Sequence, residues 1–371
     1  MPIEFAARIR RLPPYPVAAG YDLDGMALLA SNETPFGPAE PVVRAASVAL
    51  ARANRYPDPS YAPLRHALAD RYGVPVDRIA LGCGSCDILL AAGEALLEPG
   101  AEVVYGWPAF SVYPHLAAAS GARAITVPLD ADARHDLDAI AAEVTVASRL
   151  VLVCSPNNPT STSVPLEQVE RLLERVPAHV CVILDEAYCE FSLELGDTYA
   201  SVELLRRWPN LVLLRTFSKV YGLAAMRVGY ALCGSESFRM AVDQVRQPFY
   251  LGGAAQAAAV TALGLQDEVE RRVVATIASR DTLLEGVRGL GLWVADSDAN
   301  FIWVRLPATD PDTGEEGVKE AEAVLVAGLR DRGVLVRAGT ALGGPGCLRV
   351  TVGSDAENAR FVAALGELVQ R

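Results

Sequence analysis

The segment Leu214 to Tyr230 reads L-R-T-F-S-K-V-Y-G-L-A-A-M-R-V-G-Y. It sets Lys219 close behind Thr216 and Ser218 and eight positions before Arg227, in a stretch otherwise almost free of charge. An ammonium group in apolar surroundings is costly, so its pKa falls and the neutral amine becomes a nucleophile toward carbonyls. That is Schiff-base chemistry. The two hydroxyls and the guanidinium fork form a phosphate-binding set. An aldehyde that carries a phosphate would satisfy both halves of the segment, and pyridoxal 5′-phosphate is such a molecule. A loop lysine with an incidental arginine nearby is the plain alternative.

Other motifs fall at the ends of expected strands or at strand-to-helix turns, where open α/β sheets bind ligands. L-G-C-G-S-C-D, Leu81 to Asp87, is a glycine-rich turn, and a helix expected from about Ser85 would offer free N–H groups to an anion. V-C-S-P-N-N-P-T-S-T, Val153 to Thr162, holds Asn157 and Asn158 between two prolines as donors, or is only a proline-stabilised turn. In V-I-L-D-E-A-Y, Asp185 closes an apolar run, where a bare carboxylate is expensive without a cation. A protonated pyridine nitrogen would serve, as would a structural arginine or a helix cap. In C-L-R-V-T-V-G, Arg349 interrupts apolar alternation and either grips a carboxylate or faces outward. Phe110 of W-P-A-F-S-V-Y either stacks on a planar ring or belongs to the core.

These residues need a scaffold, and the pattern supplies one. Val103 to Tyr105, Ala124 to Val127, Leu150 to Cys154, Val180 to Leu184, Val212 to Arg215 and Val228 to Cys233 read as buried strands. Asp87 to Leu97, Phe110 to Ala119 and Leu166 to Val176 carry helical spacing between them. The alternation implies an α/β fold with a mostly parallel sheet sandwiched by helices. One long helical pattern then runs from about Ala255 toward Val287. Strands at Phe301 to Leu306, Val334 to Arg337 and Leu348 to Val352, with a helix from Ala356 to Val369, suggest a smaller α+β unit, and Asp310 to Gly317 reads as a polar loop. Two domains are also what 371 residues lead one to expect.

A chain 51% apolar and 21% charged, without a bilayer-length apolar run, reads as soluble and globular. Its net charge of −12 argues against a nucleic-acid surface. Arg8, Arg10 and Arg11 precede no apolar segment, so a signal peptide is not expected. Seven cysteines at irregular spacing fit reduced thiols in the cytoplasm. Cys83 and Cys86 make a C-x-x-C that no second pair completes, so no metal is expected.

Taken in order, S-N-E-T-P-F-G-P, R-Y-P-D-P, G-C-G-S, P-N-N-P-T, D-E-A-Y, T-F-S-K…R and C-L-R-V-T-V-G resemble the fold-type I pyridoxal-phosphate aminotransferases. Within them the chain is similar to the histidinol-phosphate aminotransferase branch, and most of all to actinobacterial aromatic aminotransferases. The resemblance spans about Leu28 to Thr351 and implies these domains: an N-terminal arm and part of the small domain at 1–30, a large cofactor-binding domain at 31–265, and a small domain at 266–371. It implies that Lys219 binds the cofactor covalently and then moves the substrate proton, with Asp185 on the pyridine nitrogen. It implies Asn158 and Tyr188 on the phenolic oxygen and Phe110 on the ring. The phosphate would fall to the backbone of Ser85 and Cys86, to Thr216, Ser218 and Arg227, and to Tyr56 from the other subunit of a homodimer. Arg349 would bind the substrate carboxylate, with Asn32 in the closing loop and Arg337 on a substrate phosphate or bracing the small domain.

The departures bear on the substrate. Ser161 stands where relatives usually carry glycine, which tilts the resemblance toward the aromatic branch. Tyr250 stands where histidinol-phosphate enzymes usually carry asparagine, and a phenol there would reshape the side-chain pocket. Cys86 and Asp87 replace an acidic pair, which puts side-chain contacts to the phosphate in doubt. The expectation is therefore transfer of the amino group of phenylalanine or tyrosine to 2-oxoglutarate, with histidinol phosphate as the alternative donor. A lyase or decarboxylase on the same scaffold is a further alternative, because cofactor-holding residues do not dictate which α-carbon bond breaks. A nicotinamide dehydrogenase would need a third glycine where Asp87 stands.

Overall fold

A computed structural model of the chain describes residues 3–5, 9–10, 25–307 and 314–369. A seven-stranded sheet runs in the order Ile79–Gly82, Gly229–Cys233, Leu211–Thr216, Cys181–Asp185, Ser148–Cys154, Glu102–Trp107, Arg123–Pro128. Only Gly229–Cys233 is antiparallel to its neighbours. The central strands read as continuous apolar runs because both sheet faces are covered. Successive residues alternate between two cores: Val151, Val153, Val182, Leu184 and Leu213 enter one, and Leu150, Leu152, Ile183, Val212 and Leu214 the other.

The second unit is a three-stranded antiparallel sheet, Arg337–Ala338, Cys347–Thr351 and Phe301–Arg305. It shares an apolar core with helices Gln266–Gly289, Glu315–Asp331 and Asp355–Val369. Near the start of the chain, Ala27–Leu28 pairs in parallel with Val334–Leu335 and so joins this unit.

The expected strands and helices are present, with corrections. The long helical pattern breaks after Leu263 into Gly253–Leu263 and Gln266–Gly289, because Gly264 and Leu265 fold as a turn. The expected strand Val334 to Arg337 divides, with Val334–Leu335 and Arg337–Ala338 pairing in different sheets. The helix expected from Phe110 begins at Tyr113. Ile79–Gly82, too short and glycine-bounded to read as a strand, is the sheet edge. A helix starts at Glu315, inside the expected polar loop, and residues 310–313 of that loop lie outside the described residues. So do Arg8, Arg11 and most of the expected N-terminal arm.

Beneath the ends of the central strands lies a buried ion pair. Arg215 Nη2 and Nε reach Glu186 Oε2 at 2.8 and 2.9 Å, with both side chains almost fully buried. Arg215 also donates to the Thr198 carbonyl and the Ser201 hydroxyl and lies over the Tyr72 ring. Removing one partner of such a pair leaves the other charge buried and uncompensated. Glu186→Gln is therefore expected to lower unfolding stability by about 3–5 kcal/mol, read from the urea midpoint of the purified chain.

Candidate active site

Parallel strands end on one side of a sheet, and here the residues at those ends face a common cavity of about 430 Å³. Cys154, Asp185 and Thr216 are the last residues of their strands, and each lines it. Sequence distance is thereby converted into proximity.

Lys219 follows the strand Leu211–Thr216 by a short turn. Its Nζ donates to the carbonyls of Ser31 and Asn32 at 3.2 and 3.0 Å and sits 5.5 Å from the centre of the Tyr188 ring. Burial, followed by the charge of Arg349, pulls its pKa down to about 7. Near neutral pH much of it is an amine.

Asp185 is 3% exposed. Its carboxylate accepts from the Tyr113 hydroxyl at 3.1 Å and the Ala187 N–H at 3.3 Å, and among the described residues no cation lies within ion-pair distance. Burial drives its pKa up to about 6, against the pull of those two donors. A protonated ring nitrogen would meet a carboxylate that no cation among the described residues pairs with.

Tyr188 is ordered by amides. Asn32 Nδ2 and Asn158 Nδ2 donate to its oxygen at 3.0 and 3.4 Å, which leaves its own O–H available as a donor. Arg349 Nη1 donates to Asn158 Oδ1 at 2.7 Å, fixing which end of that amide faces Tyr188. Arg349 Nη2 holds the Ala30 carbonyl. Arg337 stands opposite Arg349 in antiparallel register, and both line the cavity.

At the other end is an anion cradle. Helix Ser85–Leu96 starts there without a side-chain cap. Gly84, at φ +82°, is the residue before it, and a Cβ added there would lie 2.5 Å from Arg227 Nη2. A Cβ on Gly229 would lie 2.2 Å from the Ser85 nitrogen, so glycine lets the strand pass the helix start. Arg227 occupies the left-handed region at φ 54°, and its guanidinium reaches the Ser218 hydroxyl at 3.4 Å. Ser218 in turn receives the Thr216 hydroxyl at 3.0 Å. Phosphate chemistry fits this donor set.

The cavity therefore gathers Asn32, Ser85, Cys86, Phe110, Asn158, Asp185, Tyr188, Thr216, Ser218, Lys219, Arg227, Arg337 and Arg349. It does not gather Tyr56 or Tyr250. Tyr56 is 82% exposed and stacks on Phe249 at 4.6 Å. Tyr250 packs on Tyr61 at 4.8 Å beneath the Arg246 guanidinium, with its hydroxyl buried. Ser161 does not line the cavity either; its buried hydroxyl lies against Ser297. Asn157 donates to Thr160 in its own loop and to the Pro108 carbonyl in the loop after Glu102–Trp107. Two groups at the site had no sequence signal that singled them out: Glu33, which lines the cavity, and Tyr113, which is buried behind it and bonds Asp185. Tyr113 reads as a helix residue, and Glu33 as part of a loop.

The family description "Aminotransferase class I and II" matches residues 24–365. Histidinol-phosphate aminotransferase 1 of Cupriavidus pinatubonensis is 44% identical over 96% of this chain and 94% of its own. The aromatic amino acid aminotransferase of Thermobifida fusca is 42% identical over 95% and 93%. Among solved structures, histidinol-phosphate aminotransferase from Sinorhizobium meliloti in complex with pyridoxal-5′-phosphate superposes with a TM-score of 0.83 at 31% identity, covering 93% of this chain and 91% of that one.

Asp185 carries a pH signature. In the unfolded chain it ionises near 3.8, and in the fold near 6, so the folded state keeps the extra proton between those values. Its contribution is present at low pH and is lost as pH rises through about 6. Without cofactor, the chain is expected to lose about 2 kcal/mol relative to Asp185→Asn between pH 4.5 and 7.5. Thermal unfolding of the two proteins across that range checks it, and parallel pH profiles would remove the assignment.

Proposed function

The chain belongs to the class I and II aminotransferases, and from that premise we propose that it transfers the amino group of an aromatic L-amino acid to 2-oxoglutarate, with pyridoxal 5′-phosphate as cofactor. The observation that carries the cofactor reading is the pair of costly groups in one cavity: a lysine drawn toward neutrality and a buried carboxylate that no cation among the described residues pairs with. When bound, the cofactor supplies an aldehyde that amines condense with and a pyridinium ring that withdraws electrons from the α-carbon.

The chain's own residues do the rest. Lys219 binds the cofactor and afterwards takes the proton from the substrate α-carbon, a task suited to an amine whose pKa lies near 7. Asp185 opposes the ring nitrogen and keeps it charged. Tyr188 and Asn158 donate to the phenolic oxygen, and Phe110 covers the ring. The helix start at Ser85 and Cys86, with Thr216, Ser218 and Arg227, holds the phosphate through backbone N–H groups, hydroxyls and the guanidinium. Arg349 takes the α-carboxylate beside Asn32. Arg337 takes a second anionic group, which suits the distal carboxylate of 2-oxoglutarate.

Tyr56 completes the phosphate site from the partner subunit of a homodimer. Its exposure beside Phe249, outside its own chain's cavity, supports that reading. The division of the chain at residues 30 and 265 is supported by the core that joins Ala27 and Leu29 to residues from Leu283 on, while Val269, Ala299 and Phe301 pack in the larger core. Among the described residues no helix is long and apolar enough to cross a membrane, and all seven cysteines are free. We place the enzyme in the cytoplasm.

The aromatic donor is supported by the run of relatives that bear that name. Histidinol phosphate is the second reading, favoured by the relative from Cupriavidus and by Arg337, which would meet its phosphate as readily as a carboxylate. Single-turnover mixing of the loaded enzyme with each donor distinguishes them: phenylalanine is expected to discharge the cofactor's visible absorbance, and discharge by histidinol phosphate alone would reverse the assignment. Lys219→Ala is expected to lose turnover and the covalent cofactor. After borohydride reduction, mass spectrometry should find the added cofactor mass on the wild-type peptide that contains Lys219 and nowhere in the variant.

A further inference from the structure

Four residues between helix Gln266–Gly289 and strand Phe301–Arg305 touch each loop that carries a polar group around Tyr188. The Asp298 N–H donates to the Ser161 carbonyl at 2.8 Å, and the Ala299 N–H to the Ser161 hydroxyl at 3.0 Å. That hydroxyl lies 2.7 Å from Ser297 Oγ. The Asp298 carboxylate accepts from Ser163 Oγ and the Leu193 N–H, both at 2.6 Å, and from Ser192 Oγ. Asn300 Nδ2 donates to the Asn32 carbonyl at 3.1 Å, the same oxygen that receives Lys219 Nζ.

Ser161 lies three residues beyond Asn158, and its N–H closes a turn on the Asn157 carbonyl at 2.7 Å. Its φ of 66° is in the region that favours glycine. A side chain that occupies such a backbone at no exposure must be held by what it contacts, and here those contacts are Ser297 and Ala299.

We propose that Ser161 and Asp298 are positioning residues: they lock the turn that carries Asn158, and the segment after Tyr188, to the joint at Ser297–Asn300. This rests on the cofactor reading above. If the turn is held, Asn158 and Tyr188 present their donors to the phenolic oxygen at fixed positions. If it is loosened, that oxygen loses hydrogen bonding, keeps more negative charge and attracts a proton more strongly.

The test is a pH titration of the bound cofactor's visible absorbance, with cofactor affinity measured by fluorescence on the apoenzyme. Ser161→Gly suits the backbone and removes the hydroxymethyl group, and Asp298→Asn keeps the shape and removes the charge. Both are expected to raise the titration midpoint by roughly 0.5 pH unit or more and to weaken cofactor binding. Ser297→Ala should shift the midpoint less in the Ser161→Gly background than in the wild type, because the Ser161–Ser297 bond is shared by both changes while the Ser297 bond to the Phe301 carbonyl is not. Wild-type midpoints and affinities in both variants, with only the melting temperature lowered, would show a merely structural role and overturn the proposal. A wild-type protein that gains no visible absorbance with pyridoxal 5′-phosphate would overturn the cofactor reading, and the joint's role with it.

Discussion

A carboxylate sealed at the end of an apolar strand is the constraint on which this site turns. Among the described residues Asp185 has two neutral donors and no cation at ion-pair distance, and the neighbouring charge of Glu186 raises its pKa further. An uncompensated buried charge is among the larger costs a fold can carry. Across the same cavity Lys219 is under the opposite pressure, since burial and Arg349 disfavour its ammonium form. A ligand with a cationic ring nitrogen and an electrophilic carbon relieves both. The site is thus built for its ligand at the expense of the empty chain, as is usual where local rules are broken for function.

The surrounding structure makes that cost bearable by fixing the strand ends. Side chains alternate along a strand, so the residues next to Asp185 and Thr216 point away from the cavity. Those residues are Glu186 and Arg215, and they pair at 2.8 Å. The Glu186 N–H also donates to the Leu214 carbonyl at 2.8 Å, which continues the ladder one step past the strand. One ion pair therefore binds two strand ends, and the cavity-facing neighbour of each partner inherits a fixed position. Tyr113 acts on Asp185 from a third direction, with a hydroxyl that the helix Tyr113–Ser120 supplies from its first residue.

Much of this was legible in the sequence, because short apolar runs followed by glycine, asparagine or carboxylate residues announce strand ends where ligands bind. Asp185, Lys219, Asn158 and Arg227, read as lying at or beside strand ends, and Arg349, within a strand, all line one cavity. What could not be read was contact between residues far apart in the chain. The carbonyls of Ser31 and Asn32 that hold Lys219, the hydroxyl of Tyr113 and the joint at Asp298 leave no periodic trace. Ser161 and Tyr250 show the converse. Each is unusual in type for its place, yet unusual type did not reveal placement, and neither lines the cavity. In Ser161 the anomaly is one of backbone, explained by φ and by what its hydroxyl grips.

The substrate end of the cavity follows from a different imbalance. Arg337 and Arg349 are directly opposed on neighbouring antiparallel strands, where like charges repel. Arg349 is already committed to Asn158 Oδ1 and the Ala30 carbonyl, so its orientation is set before any substrate arrives. An anionic group in the cavity that both arginines line can gain charge-assisted hydrogen bonds from them. A transaminase must accept two different side chains at one place in alternate half-reactions. A fixed arginine for the carboxylate common to both partners, with a second arginine lining the same cavity, suits that requirement. On the proposed reading, an aromatic donor uses the first arginine and 2-oxoglutarate uses both.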